Sequence, residues 1–215
     1  DQLNGLLGLV GREGCTYLVE LSEANPWPRA LAGGDGDVVE PTVAPDRQRV
    51  ALTFWPHNDR NRSEIRIVDL ERAEVRALTG TPGIHDGGAA WSPDGAALAY
   101  SSERSGWYEI HIIGADGTSE RQLTHDAADF RSLQWHADGT VLLATRTRRG
   151  RTDLVRVGAT TGTVTVLAPG GTWSSPVWLP DGSIAACFED HATPPRIERL
   201  GHGERLGHGE RLGHG

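Results

Sequence analysis

The 215 residues carry 21 Lys and Arg against 29 Asp and Glu, a formal net charge of −8, which argues against a surface that grips nucleic acid or an anionic bilayer. No apolar run approaches the roughly 18 residues that would span a membrane, no charged-then-apolar leader stands at the N-terminus, and Met is absent. The expectation is a soluble chain, processed or cut from a longer one, and cytoplasmic rather than periplasmic. Cys15 and Cys187 form neither a disulfide framework nor a metal-ligand spacing, so both read as apolar filler and no metal or cofactor is expected.

Taken in chain order, residues 3–36 hold three β-rich runs, "LLGLVGRE", "TYLVELSE" and "PWPRALAGG". A more complete unit follows over 38–83. It opens on a strand ending in the turn "VAPDR" and continues through "VALTF", "SEIRIVDL" and "EVRALTG". The same grammar recurs over 86–126 with the turn "WSPDG" and over 130–171 with "WHADG", and it begins again over 174–200 with "WLPDG". Alternation of apolar and polar residues at period two marks half-buried antiparallel strands, and no segment shows a helical stripe.

The turn aspartates stand at 46, 94, 138 and 181, so the repeat is 48, 44 and 43 residues long. A period in the forties is the length of a four-stranded propeller blade. The fold expected is all-β, a partial β-propeller of about four and a half four-stranded antiparallel blades. The first blade would lack its inner strand and the last its outer strand. Such a piece would offer a free strand edge at each end to another chain.

In the turn, proline presets φ, aspartate bonds its own backbone and glycine takes the φ > 0 position. Trp91, Pro93, Asp94, Gly95, Trp135, Asp138, Gly139, Trp178, Pro180, Asp181 and Gly182 are therefore read as blade turns, with the tryptophans packing between blades. Ser92 becomes Ala44, His136 and Leu179 in the other copies, so it reads as the least important letter and not as a nucleophile. No copy supplies the trailing Thr-Trp of a sialidase-type aspartate box. Arg47 replaces the glycine of the first copy; if φ stays positive there, the cost is roughly 1–2 kcal/mol.

These turns share one face with the third-to-fourth turns. The longer loops lie at the other end of the strands: 55–63, 102–107, 145–151 and 189–195, with 81–88, 124–130 and 170–175. Function on such a frame concentrates in loops, and the candidates for a substrate or partner face are His57, Arg60, Arg62, His85, Asp86, Arg104, Trp107, Trp173 and His191. The basic run "RTRRGR" (146–151) reads as a solvated loop. The tail "ERLGHG", three times over from Glu198, is a glycine-rich tract expected to be disordered over 201–215. No nucleophile elbow, P-loop or dinucleotide fingerprint occurs, so no catalytic residue is assigned.

The stretch "WSPDGAALAYSSERSGWYEIHIIGADGTSERQLTH" (91–125) resembles the propeller blades of the prolyl oligopeptidase family of serine peptidases, nearest the acylaminoacyl-peptidase and dipeptidyl-peptidase branch. "HATPPRIERL" is similar to a strand late in those propellers. The same blade pattern resembles that of TolB-like propellers. The first resemblance implies a propeller segment that gates short peptides toward a C-terminal α/β-hydrolase domain of the same parent chain, where the Ser-Asp-His triad would lie. The second implies a protein-binding scaffold without enzymatic activity.

Overall fold

Alternating side chains and closely spaced turn signals build sheets here and nothing else. The computed structural model describes residues 6–12, 14–22 and 25–201, and the regular structure within them is β-strand throughout. Blade 1 is β1 (Leu6–Arg12), β2 (Cys15–Ser22) and β3 (Asn25–Ala32). Blade 2 is β4 (Gly36–Val43), β5 (Arg49–Pro56), β6 (Glu64–Asp69) and β7 (Glu74–Ala77). Blade 3 is β8 (Asp86–Trp91), β9 (Ala97–Ser102), β10 (Glu109–Gly114) and β11 (Arg121–Gln122). Blade 4 is β12 (Asp129–Trp135), β13 (Val141–Arg148), β14 (Arg151–Gly158) and β15 (Val164–Ala168). Blade 5 is β16 (Thr172–Trp178), β17 (Ile184–Glu189) and β18 (Arg196–Leu200).

Within each blade the strands pair antiparallel in chain order. The last two blades form one continuous sheet through a parallel bridge from Thr152 to Thr172. That contact is the local version of a general one. Ser63 bridges His85 between blades 2 and 3, and the Phe130 N–H donates to the Tyr108 carbonyl at 2.7 Å between blades 3 and 4. The architecture is a partial β-propeller. Its first strands β4, β8, β12 and β16 lie against one another and so line the axis.

The apolar core is divided into layers between blades. Leu18 and Leu31 meet Val50, Leu52 and Phe54 at the first seam. Ile65 and Ile67 meet Leu98 and Tyr100 at the second, and Ile110 and Ile112 meet Phe130 and Leu142 at the third. Leu143 and Leu154 meet Trp173, Ile184 and Phe188 at the fourth. Burial in such a layer is worth about 1.5–3 kcal/mol per large side chain, so the seams supply the main stabilisation of each blade.

Two polar connectors recur in the seams. The Trp91 indole donates to the Thr42 carbonyl at 3.1 Å, and that of Trp135 donates to the Ala90 carbonyl at 3.1 Å. Each reaches the inner strand of the preceding blade. On the outer side, Arg29, Arg76 and Arg121 donate to the carbonyls of Leu70, Ala115 and Ala159, at 3.3, 2.5 and 2.5 Å. The arginine is two residues before the closing leucine of each outer strand, in "RAL", "RAL" and "RQL", and the fourth copy reads "TVL" with Thr165. Trp178 Nε1 is buried without a hydrogen-bond partner. The fourth seam thus lacks both connectors among the described residues.

The Asp-Gly turns have the expected backbone, with φ of 68°, 72° and 79° at Gly95, Gly139 and Gly182. Ser92 corrects its sequence reading. Its hydroxyl donates to Asp94 at 2.5 Å and accepts the Ala97 N–H at 2.9 Å. The Ser92 hydroxyl and then the Ala96 N–H hold the Asp94 carboxyl below the usual range. His136 performs a related task, with Nδ1 2.9 Å from Asp138. The Thr140 N–H and His136 hold that carboxyl down at about 2. Two chemically different side chains thus do related work in one structural slot, and the serine is a working member of it.

Two other readings change. "RTRRGR" is no loop: β13 and β14 run through it to a two-residue turn at Arg149 and Gly150, with φ of 51° and 75°. Arg146 is committed there to Asp126 at 2.6 Å and Asp153 at 2.9 Å. Cys187 is half-buried, since it lies opposite Ile197, 69% exposed, on the outward face of blade 5. The expectation for 202–215 lies outside the described residues.

Arg47 keeps φ at 58°, so a non-glycine residue occupies the strained position. Arg47→Gly should raise the unfolding free energy by roughly 1–2 kcal/mol in urea titration. An unchanged midpoint would show that the turn carries no such strain.

Candidate functional site

A second repeat is hidden in the inner strands. Each shifts register once against its neighbour: between Val39 and Thr42, Gly87 and Ala90, Arg131 and Gln134, and Ser174 and Val177. Each shift contains one residue with positive φ: Glu40 at 51°, Gly88 at 63°, Ser132 at 53° and Ser175 at 48°. Their spacings equal those of the turn aspartates, 48, 44 and 43. A bulge bends its strand and re-aims a side chain, and bulges gather beside binding sites. Here they open the axial wall at one level in four successive blades.

Three of these bulges, at Glu40, Gly88 and Ser132, line a cavity of about 520 Å³, with Trp55, His85, Tyr108 and Arg131 around it. Glu40 Oε2 accepts the Thr53 hydroxyl and the Gly88 N–H, both at 2.9 Å, so the bulge of blade 2 braces that of blade 3. The Arg131 guanidinium lies over the Tyr108 ring, 3.4 Å from its centroid. Burial, and the carboxylate of Glu103 against the opposing pull of Arg131, raise the Tyr108 phenol above its ordinary value and keep it an O–H donor. His85 stacks on Trp55 with centroids 4.8 Å apart. The wall therefore offers a cation, an acid and flat apolar area together, a few polar groups set in an apolar lining as binding pockets have. A depression of about 530 Å³ on the turn face is poorer, since its lining cation Arg49 is held by Asp46 at 2.7 Å and the Gly95 carbonyl at 3.0 Å.

Two of the loops that lead from one blade to the next are anchored by acids near the start of the third strands. Glu109 accepts the N–H groups of Asp126 and Ala127, each at 2.8 Å, and the Thr124 hydroxyl at 2.5 Å. Asp153 accepts the Gly170 N–H at 2.9 Å.

The candidates named from sequence disperse. His85 and Asp86 line the cavity. Asp86, however, is fully buried, its oxygens without a hydrogen bond and Arg104 3.6 Å away. Arg104 also pairs with Glu120 at 2.6 Å and bonds the Tyr100 hydroxyl at 3.2 Å, so both belong to a network that runs from the surface into the interior at the seam of blades 2 and 3. Trp173 is 1% exposed and packs on Phe188 at 4.7 Å; it faces the fourth apolar layer and offers no surface. Arg62 is spent on Asp59 at 3.4 Å and Glu64 at 3.5 Å. Trp107 is 46% exposed beside Tyr108, and His191 is exposed in the β17–β18 loop. His57 and Arg60 meet at Asp37, 3.3 and 3.0 Å away, at the first seam. Glu40, Arg131 and Ser132 escaped the sequence reading. The available signal was a charged residue inside an inner strand, "DFRSLQW", where an apolar one is expected.

The interior network ends on His111, 3% exposed, with neither ring nitrogen hydrogen-bonded. Burial first, then the charge of Arg104, lowers its pKa to about 4. The unfolded chain takes up this proton near pH 6.5 and the folded chain only near 4, so stability is present above 6.5 and drains as pH falls through that window. A urea midpoint that declines from pH 6.5 to 4, with a flatter decline in His111→Phe, is the expected result. Equal slopes in both proteins would contradict it.

The sequence signature of the TolB β-propeller domain (PD40) matches residues 22–203. The Tol-Pal system protein TolB of Desulfosudis oleivorans is 32% identical over 109 residues, half of this chain and 23% of that protein. Among solved structures, TolB from Acinetobacter baumannii superposes with a TM-score of 0.75 at 19% identity, covering 94% of this chain and 50% of that one. A puromycin-hydrolyzing peptidase of Mycobacterium tuberculosis superposes with a TM-score of 0.74 at 18% identity, covering 87% of this chain and 31% of that one. The two superpositions show a shared fold, and the chain spans half or less of each of these relatives. The chain belongs to the TolB β-propeller domain family.

Proposed function

We propose that this propeller is a non-catalytic binding module whose axial-wall cavity holds an extended peptide segment of a protein partner. The observation that carries the reading is the level at which three backbone bulges open the wall, between Glu40 and the Arg131–Tyr108 stack. An acidic side chain or terminal carboxylate would face the guanidinium, and an apolar side chain would lie on Trp55. Family membership and the likeness to TolB support a binding scaffold over an enzyme.

A second reading keeps the same cavity and changes its context. The likeness to a peptidase and the run "HATPPRIERL" favour a propeller segment that orients short peptides for an α/β-hydrolase domain of the same parent chain. A G-x-S-x-G element in the coding sequence beyond residue 215 would favour this second reading; its absence there would favour the first.

Calorimetric titration with unstructured acidic peptides tests the site itself. Arg131→Ala should weaken binding about tenfold, close to 1.4 kcal/mol. Arg72→Ala, an exposed guanidinium paired with Asp69 at 2.8 Å, should leave it unchanged. Equal affinity of wild type and Arg131→Ala would remove the cavity from the account.

A further inference from the structure

The first seam carries a constellation that the cavity does not use. Cys15 opens β2, half-buried, and its Sγ lies 3.6 Å from Nδ1 of His57. The other ring nitrogen, Nε2, lies 3.3 Å from Oδ2 of Asp37. Asp37 also accepts the Thr16 N–H at 3.1 Å and an Arg60 N–H at 3.0 Å. Burial opposes its ionisation, but the bonds from Arg60, His57 and Thr16 together hold the carboxyl below the usual range.

A carboxylate at Nε2 keeps the proton of the neutral ring on that nitrogen and presents a bare Nδ1 to the thiol. The order is nucleophile, base, orienting acid. The parts come from two blades: Cys15 from β2, Asp37 from β4 and His57 from the turn that follows β5. His57 has 32% of its side chain exposed, so a small reagent can reach the pair. Cys187 provides an internal contrast, lying between Ser174 and Ile197 across the sheet, with no titratable group on either.

We propose that Cys15 is a nucleophilic thiol, with His57 as its base, that exchanges with low-molecular-mass disulfides. His57 Nδ1 takes the thiol proton and the sulfur attacks one sulfur of the disulfide. A new S–S bond forms as the old one breaks, and the departing thiolate recovers the proton from the imidazolium. Cys15 is oxidised to a mixed disulfide while half of the reagent is reduced to a thiol. Acyl transfer is disfavoured because it needs a donor for the oxyanion. The amide next to the nucleophile, Thr16 N–H, is already given to Asp37. Displacement at sulfur needs no such donor. Asp37 is a positioning residue.

The test treats the whole chain with 5,5′-dithiobis(2-nitrobenzoate) at pH 7, follows the released thiolate and assigns each cysteine by peptide mass spectrometry. Cys15 should react at least about tenfold faster than Cys187. His57→Gln should slow Cys15 by a similar factor and leave Cys187 unaffected. Asp37→Asn should also slow Cys15 and leave Cys187 unaffected, with Asp37→Glu restoring part of the rate, and it serves as the independent variant should His57→Gln fail to fold. A Cys15 rate no faster than that of Cys187, or one unmoved by both variants, overturns the proposal.

Discussion

The structure depends on the bond between an outer-strand arginine and a carbonyl of the next blade. A sheet four strands wide has two faces, and in a propeller both must be covered by neighbouring sheets. Apolar layers cover them but are indifferent to sliding. The guanidinium of Arg29, Arg76 or Arg121 removes that freedom at the rim. The indoles of Trp91 and Trp135 do so near the axis. Each bond is worth about 1–3 kcal/mol, since a part-buried carbonyl without its donor would stay desolvated. Both kinds hold the seam between blades 2 and 3 and that between blades 3 and 4. The cavity opened by the bulges of Glu40, Gly88 and Ser132 spans those two seams, so its shape is set before anything binds.

Much of the frame is legible in sequence because its positions demand special residues. Gly95, Gly139 and Gly182 sit at positive φ in turns, a conformation that costs other residues, and the Pro-Asp around them is equally telling. Arg47 shows the limit: the fold tolerates the wrong residue when its seam pays enough. Bulges are the opposite case. Glu40, Ser132 and Ser175 adopt the same backbone as Gly88 with no residue type shared by all four, because the demand is placed on the chain by twist and closure. Long-range polar partners were equally hidden. The arginine of "RAL" is visible, yet its acceptor lies 39 residues away in the next blade, and Trp173 reads as a loop aromatic until the fourth apolar layer is seen to enclose it.

The same logic separates the candidate residues. Charges close to a seam are drawn into it, as with Asp86, which is fully buried, and with Arg104, which reaches in from the surface to face it. Charges held on an aromatic face, as Arg131 is on Tyr108, stay presented to the axis. The thiol pair at the first seam arises from the same crossing of strands. The start of a third strand meets the start of the next first strand, and whatever side chains stand there are brought into contact. At the first seam those are Cys15 and Asp37, joined by His57 from the turn after β5, whereas at the second Ser63 and His85 meet.

Rigidity concentrates in blades 2 to 4, whereas blade 5 is joined by its apolar layer and the Thr152–Thr172 bridge without either side-chain connector, with Thr165 and the unbonded Trp178 indole at its seam. Native-state hydrogen exchange tests this most directly, because it reads the opening free energy of each strand separately. Amides of β5, β9 and β13 should exchange together and slowest, and those of β17 should exchange earlier through a separate opening. Protection of β17 equal to that of β9 would contradict the claim that the polar connectors hold the blades.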